Sequence, residues 1–374
     1  MKLALIRQRY NPYGGAERFV SRALAGLEGS GVRVSVVARD WERAGGGDFI
    51  RCDPFYLGRL WRDWSFARAA CRTIGARQFD LVQANERIAC CDIYRAGDGV
   101  HAQWLENRAR ATGTLARMLT RLNPYHAYTL AAEHRLFGSP RLKAVICNSH
   151  MVAGEIRRRF GFAEKKLHVI YNGVDLEHFH PRVRDEHRAP MRARLRIAED
   201  AMAFLFVGVG FQRKGVPQLL DAFARLADRG DRLVIVGTDR SQRAMHSRAA
   251  RLGIADRVTF AGGQDDVRPW YGMADCLVLP TLYDPFPNAA LEAMACGLPL
   301  ITSTTCGAAE IVVEGQNGYV CDALDTVALA DHMYRMRPRA AAELGRQARE
   351  RSLEFDLKAM VGRLLDLYRE LLRV

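Results

Sequence analysis

Short apolar runs that end in small residues and lead into an amphipathic segment recur along both halves of this chain, and that rhythm leaves few folds open. Strands buried on both faces and joined through helices belong to parallel sheets. The clearest instance spans Val258 to Val320. Val258-Thr259-Phe260-Ala261 reads as a strand ending at Gly262-Gly263, and Asp275 to Pro280 as a second, fully buried strand. The loop Tyr283-Asp284-Pro285-Phe286-Pro287-Asn288 then enters a helix from Ala289 to Gly297. The strand Leu298 to Thr302 and a small-residue loop, Thr304 to Glu310, complete the unit.

In such a unit the strand ends feed loops into helix N-termini, where uncommitted N–H groups and the positive end of the helix dipole come together. That environment suits an anion, and a diphosphate fits it best. Asp284 and Glu292 flank the helix start. Carboxylates repel phosphate, so these two are expected to accept hydrogen bonds from sugar hydroxyls. The combination describes a nucleotide-sugar site.

At 374 residues the chain exceeds what one core usually supports, so two domains are expected. A net charge of +13 favours an anionic partner: acidic lipid or a phosphorylated substrate. Nucleic acid is not expected, because no aromatic-rich RNA signature or DNA-binding module accompanies the charge. Nine cysteines without a C-x-x-C spacing read as buried free thiols in a reducing compartment, and zinc is not expected. Residues 1–7 read as a first strand, too short for a signal peptide, and no run reaches the roughly 18 apolar residues of a membrane span. The expectation is a cytoplasmic protein, peripheral on the inner membrane at most.

In chain order, the strand Leu3–Ile6 exits through a segment whose Gly14-Gly15 turn would let backbone approach a ligand; a plain strand-to-helix turn is the alternative. A strand from Asp92 to Ala96 ends at Gly97-Asp98-Gly99, at the edge where open α/β sheets bind ligands. Asp98 is the candidate to orient or deprotonate an incoming hydroxyl, against the alternative of an ordinary turn aspartate. Residues 102–137 form a basic, partly amphipathic helical insertion that could meet anionic lipid or a phosphorylated acceptor, or pack with a solvated basic face. The first domain is expected over 1–178, with the polar stretch Leu176–Arg188 as connector and a second domain over 179–355. There the strand Ala203–Val207 reaches Gly208, then Arg213-Lys214-Gly215 at a helix start, a phosphate grip combining a forked donor with a point charge. A last helix over 356–374 has apolar residues at three-and-four spacing and therefore one buried face.

These residues jointly resemble retaining glycosyltransferases of the GT-B fold, family 4, over essentially the whole chain. The match rests on Gly14-Gly15, on Val169 to Asp175 with Phe179, on Gly208 with Arg213-Lys214-Gly215, on Val258 to Gly262, and most of all on Tyr283 to Pro299. Within the family, Asn11-Pro12-Tyr13-Gly14-Gly15, Ala96-Gly97-Asp98 and Gln212 to Gly215 are similar to the lipopolysaccharide core glucosyltransferase I group. One departure stands out: the family's Glu-x7-Glu is here Asp284 and Glu292. The resemblance implies two Rossmann-like domains facing across a cleft, with the C-terminal helix crossing back to the first. It implies hexose transfer from a donor such as UDP-glucose or another UDP-hexose to an anionic glycolipid, the lipopolysaccharide inner core. The catalytic residues would be Asp98, Arg213, Lys214 and Asp284. The nucleotide-sugar contacts would come from Gly14, Gly15, Gly208, Arg213, Lys214, Gly262, Asp284, Phe286, Pro287, Asn288, Ala289, Ala290 and Glu292. Without an Asp-x-Asp, no cofactor or metal ion is expected. The alternatives are a UDP-sugar epimerase or other GT-B enzyme, or a non-catalytic nucleotide-binding membrane scaffold.

Overall fold

The computed structural model describes residues 1–8, 31–40, 48–226 and 230–373. Gly14 and Gly15 lie outside them. The chain divides into two compact units, Met1–Tyr171 with Lys358–Val374, and Asn172–Leu357.

The first unit is built from β1 (Lys2–Ile6), β2 (Arg33–Ala38), β3 (Asp48–Arg51), α1 (Gly58–Gly75), β4 (Leu81–Ala84), β5 (Ile93–Arg95), α2 (His101–Arg110), α3 (Thr114–Arg121), α4 (Pro124–Phe137), β6 (Ala144–Cys147), α5 (His150–Phe160) and β7 (Leu167–Val169). Its seven strands run β3-β2-β1-β4-β5-β6-β7 with parallel pairing throughout. The strands are short and apolar because both sheet faces are covered; β4, β5 and β6 are buried at every residue. Ser149 caps α5, accepting from the Val152 amide at 3.3 Å.

The second unit contains α6 (Arg182–Leu195), β8 (Ala203–Val207), α7 (Val216–Phe223), β9 (Arg232–Val236), α8 (Gln242–Arg251), β10 (Val258–Gly262), α9 (Arg268–Met273), β11 (Cys276–Leu279), α10 (Asn288–Ala295), β12 (Leu300–Ser303), β13 (Gly318–Cys321), α11 (Thr326–Arg335) and α12 (Pro338–Ser352). Its six-stranded sheet, β10-β9-β8-β11-β12-β13, is also parallel. Each sheet reverses its winding once, between β1 and β4 and between β8 and β11, and such switch points are where doubly wound sheets hold ligands. The final helix, α13 (Leu357–Leu372), returns to the first unit from Lys358. There the buried Tyr368 hydroxyl donates to Gln83 Oε1 on β4 at 2.7 Å.

Two expectations are corrected. The polar stretch read as a connector is largely α6, which packs within the second unit. Its Arg184, Arg188 and Arg192, spaced one turn apart, converge on the buried Asp275 at 3.1, 2.9 and 3.0 Å. Composition made the segment look solvated, whereas one buried carboxylate draws all three guanidinium groups inward. The cysteines are not all free either. Cys71 on α1 and Cys90, in the loop after β4, form a disulfide, because helix packing brings their Cα atoms to 5.8 Å. The other seven are buried thiols, and burial pushes Cys91 up to about 12.

Candidate active site

The carboxyl ends of β8 and β11 bring together the cations and one of the acids expected from sequence. Gly215 decides the local geometry. Its φ of +76° and its close approach to Pro280, whose carbonyl oxygen a Cβ would meet at 1.8 Å, exclude any side chain. With that turn seated, the Arg213 carbonyl accepts from the Leu282 amide at 2.8 Å and from Thr281 Oγ1 at 3.2 Å. Lys214 Nζ then lies 2.8 Å from Asp284 Oδ2, and Arg213 Nη1 lies 3.5 Å from the same oxygen. A Cβ at Gly208 would meet the Lys214 side chain at 2.9 Å, so glycine there clears its path.

Asp284 is nearly buried, and its backbone is locked by the small-residue loop: its amide donates to Thr305 O at 3.2 Å and its carbonyl accepts from Gly307 at 2.8 Å. Burial pushes its carboxyl up, but Lys214, then Arg213, together with the Phe286 amide, outweigh this and hold it below the usual carboxylate range. The carboxylate is therefore engaged by the cations themselves. Glu292, in the second turn of α10, accepts from the buried Tyr271 hydroxyl of α9 at 3.0 Å.

The expected amide donors divide. The Phe286 amide serves Asp284, the Ala290 amide donates to Pro287 O at 3.1 Å, and Pro287 precedes the helix without an N–H of its own. Asn288 and Ala289 open α10 half-buried. Gly262 lies at the end of β10, two strands from Gly208. Gly237 links them, donating to Gly262 O at 2.8 Å, while the Gly208 amide donates to Val236 O at 2.9 Å.

Asp98 belongs to the first unit, on the turn between β5 and α2, with its side chain half-exposed and 3.7 Å from Arg7 Nη1. Arg87 and Glu133 clamp that turn. Arg87 Nη2 donates to Gly99 O at 3.0 Å, and Glu133 Oε1 accepts from Arg87 Nε at 2.8 Å and from the His101 amide at 2.6 Å. A cavity of about 400 Å³ opens beside Asp98.

Residues 201–337 match the family model described as Glycosyl transferases group 1, and residues 13–178 match Glycosyltransferase Family 4. Each half of the chain thus matches a glycosyltransferase family model. A D-inositol 3-phosphate glycosyltransferase of Streptomyces bingchenggensis is 31% identical over 265 residues, covering 67% of this chain and 57% of that relative's own length. The lipopolysaccharide glucosyltransferase WaaG of Escherichia coli is 24% identical over 329 residues, 86% of this chain and 85% of WaaG. A crystal structure of WaaG superposes with a TM-score of 0.84 at 22% identity, covering 98% of this chain and 99% of that one. HepE of Anabaena, solved with UDP-glucose, superposes at 0.73 with 20% identity, covering 99% of this chain and 100% of HepE. The fold is GT-B.

Sequence reasoning missed two residues that hold the candidate donor loop. One is Tyr271, for which only an aromatic in a short polar helix gave a hint. The other is Asn172, whose Nδ2 donates to Phe286 O at 3.0 Å and to Asn288 Oδ1 at 2.7 Å. Its neighbour Val174 pairs with Asp356, so the segment quoted from Val169 to Asp175 supports the donor loop as well as ending the first sheet.

Proposed function

We propose that this protein is a retaining hexosyltransferase that moves a hexose from a UDP-sugar, UDP-glucose being the leading candidate, to a membrane glycolipid such as the lipopolysaccharide inner core. The observation that carries the donor half is the Arg213–Lys214–Asp284 cluster at the β8/β11 switch point. Two cations on one depressed carboxylate form a grip that a diphosphate can take over. The UDP-glucose bound by HepE, a protein of the same fold, supports this donor class.

In the proposed reaction the acceptor hydroxyl oxygen bonds to the anomeric carbon from the leaving-group side, while the bond from that carbon to the phosphate oxygen breaks. The electron pair departs on the diphosphate, where Arg213 and Lys214 neutralise it in place of a metal ion. Asp98 orients the hydroxyl, whose proton passes to that carboxylate or to the leaving phosphate. Glu292 accepts the ribose hydroxyls, and Asp284, once the diphosphate has drawn the cations, reads a hydroxyl of the hexose.

For the acceptor, α3 offers support. Leu115, Met118, Leu119 and Leu122 are exposed, Leu122 at 71%, and Arg117 and Arg121 are interleaved with them. An apolar face with basic flanks suits a helix lying at an anionic lipid surface. Among the described residues no helix is long and apolar enough to cross a membrane.

Thermal shift with UDP-, GDP- and ADP-sugars tests the donor assignment, since a ligand that binds only the folded state raises the melting temperature. UDP-glucose should give the largest shift, and the Lys214→Ala variant should lose it. A larger shift with a GDP- or ADP-sugar would move the donor elsewhere; no shift with any would end the reading.

A further inference from the structure

The cavity beside Asp98 lies wholly in the first unit, at its β1/β4 switch point, and its described walls carry three arginines and three carboxylates. Their pairing is what matters. Arg7 lies 3.5 Å from Glu86 and 3.7 Å from Asp98, Arg62 lies 2.8 Å from Asp63, and Arg87 lies 2.8 Å from Glu133, which is buried behind the wall. The chain as a whole carries +13. Yet the described residues around this cavity place a carboxylate against every arginine.

A phosphate entering there would have to displace carboxylates already paired at short range, and would face the rest at close quarters. A neutral hydroxyl meets no such barrier, because it donates to a carboxylate and accepts from a guanidinium at once. The half-buried Tyr125 and Tyr128 add ring surface to the same walls, suited to the C–H face of a pyranose. At about 400 Å³ the space is at the small end for ligand pockets, which run from about 300 to 1,000 Å³.

We propose that this cavity takes an uncharged sugar ring of the acceptor, and that any phosphate on the acceptor stays outside it. The proposal deepens the glycosyltransferase reading and rests on it. It also separates two tasks that net charge alone merges: the basic surface attracts an anionic glycolipid, while the cavity selects a neutral ring.

The test is direct binding to the full chain by saturation-transfer NMR, with methyl α-glucoside and methyl α-mannoside as neutral probes and glucose 6-phosphate as the charged one. Wild type should bind the neutral glycosides at least several-fold better than the sugar phosphate. Asp63→Asn, which leaves Arg62 without its carboxylate, should narrow or reverse that preference, and Arg62→Ala should weaken the neutral probes without improving the charged one. Folding of each variant is checked by its circular dichroism spectrum and its melting curve without ligand, and the second unit separately by the UDP-glucose thermal shift. Tighter binding of glucose 6-phosphate by wild type, or neutral binding indifferent to both substitutions, overturns the proposal. If UDP-glucose still binds in that case, only this inference fails. If no nucleotide sugar binds, the donor reading fails, whichever ring the cavity prefers.

Discussion

Replacing Asp284 with asparagine should weaken the empty protein and strengthen its hold on UDP, two opposite effects of one charge. Asp284 and Lys214 are 8% and 10% exposed and 2.8 Å apart. Removing one partner of a buried ion pair costs about 3–5 kcal/mol, and asparagine, which keeps a carbonyl acceptor, should fall at the low end. For a unit of this size 1 kcal/mol moves the melting temperature by about 2–4 °C, so a drop of roughly 6–12 °C is expected. The freed Lys214 and Arg213 then meet the diphosphate without competition. A hydrogen bond to a charged group contributes about 1.5–3 kcal/mol, so UDP should bind roughly 10- to 100-fold more tightly to the variant. Scanning fluorimetry measures the first effect and titration calorimetry the second. Running UDP beside UDP-glucose adds a third readout: if Asp284 also reads a hexose hydroxyl, the extra affinity contributed by the glucose should shrink. A variant that binds UDP no better than wild type, despite a lowered melting temperature, would show that these cations do not receive the diphosphate.

Tyr271→Phe removes the buried hydroxyl that donates to Glu292; at about 1.5–3 kcal/mol for a bond to a charged group the melting temperature should fall by roughly 3–12 °C, and UDP-glucose affinity measured by calorimetry should fall as the carboxylate loses its orientation. Stability should also respond to mild acid. Burial first, then Arg87, His126 and Arg59, pull His101 down to about 3 from an ordinary value near 6.5. The unfolded chain therefore takes up this proton first, and the His101 contribution is complete above about pH 6.5 and lost progressively as pH falls towards 3. Melting curves of His101→Gln should be flatter than wild type between pH 4 and 7; parallel curves would contradict the neutral buried imidazole. Exhaustive dialysis against EDTA should leave UDP release from UDP-glucose intact, and activity that returned only with added Mg²⁺ or Mn²⁺ would move the leaving-group charge from Arg213 and Lys214 to a metal.

Much of the candidate donor site was legible because its signals are local. The positive φ of Gly215 belongs to a local turn that Arg213 and Lys214 share, although its close approach to Pro280 does not. Asp284 and Glu292 were placed by the strand, loop and helix that carry them. Partners distant in sequence were not legible. Tyr271 and Glu292 stand 21 residues apart, and Asn172 and Asn288 stand 116 apart; no periodicity links either pair. The same holds for α6, whose arginines looked solvated until Asp275 was found beneath them, and for Cys71 and Cys90, whose spacing belongs to no known framework.

The sequence by itself determined the two parallel-sheet units and the cations and acids at strand ends of the second, since short-range sterics and hydrophobic periodicity set strands, turns and helices; the strand order and its switch points came from the fold. Tertiary structure decided which charges face which. It engaged Asp284 with its own cations, gave Glu292 a hydroxyl partner, and set a carboxylate against each described arginine of the cavity beside Asp98. A side chain's type is written in the chain, but the field it experiences comes from whatever the fold sets within a few ångströms of it.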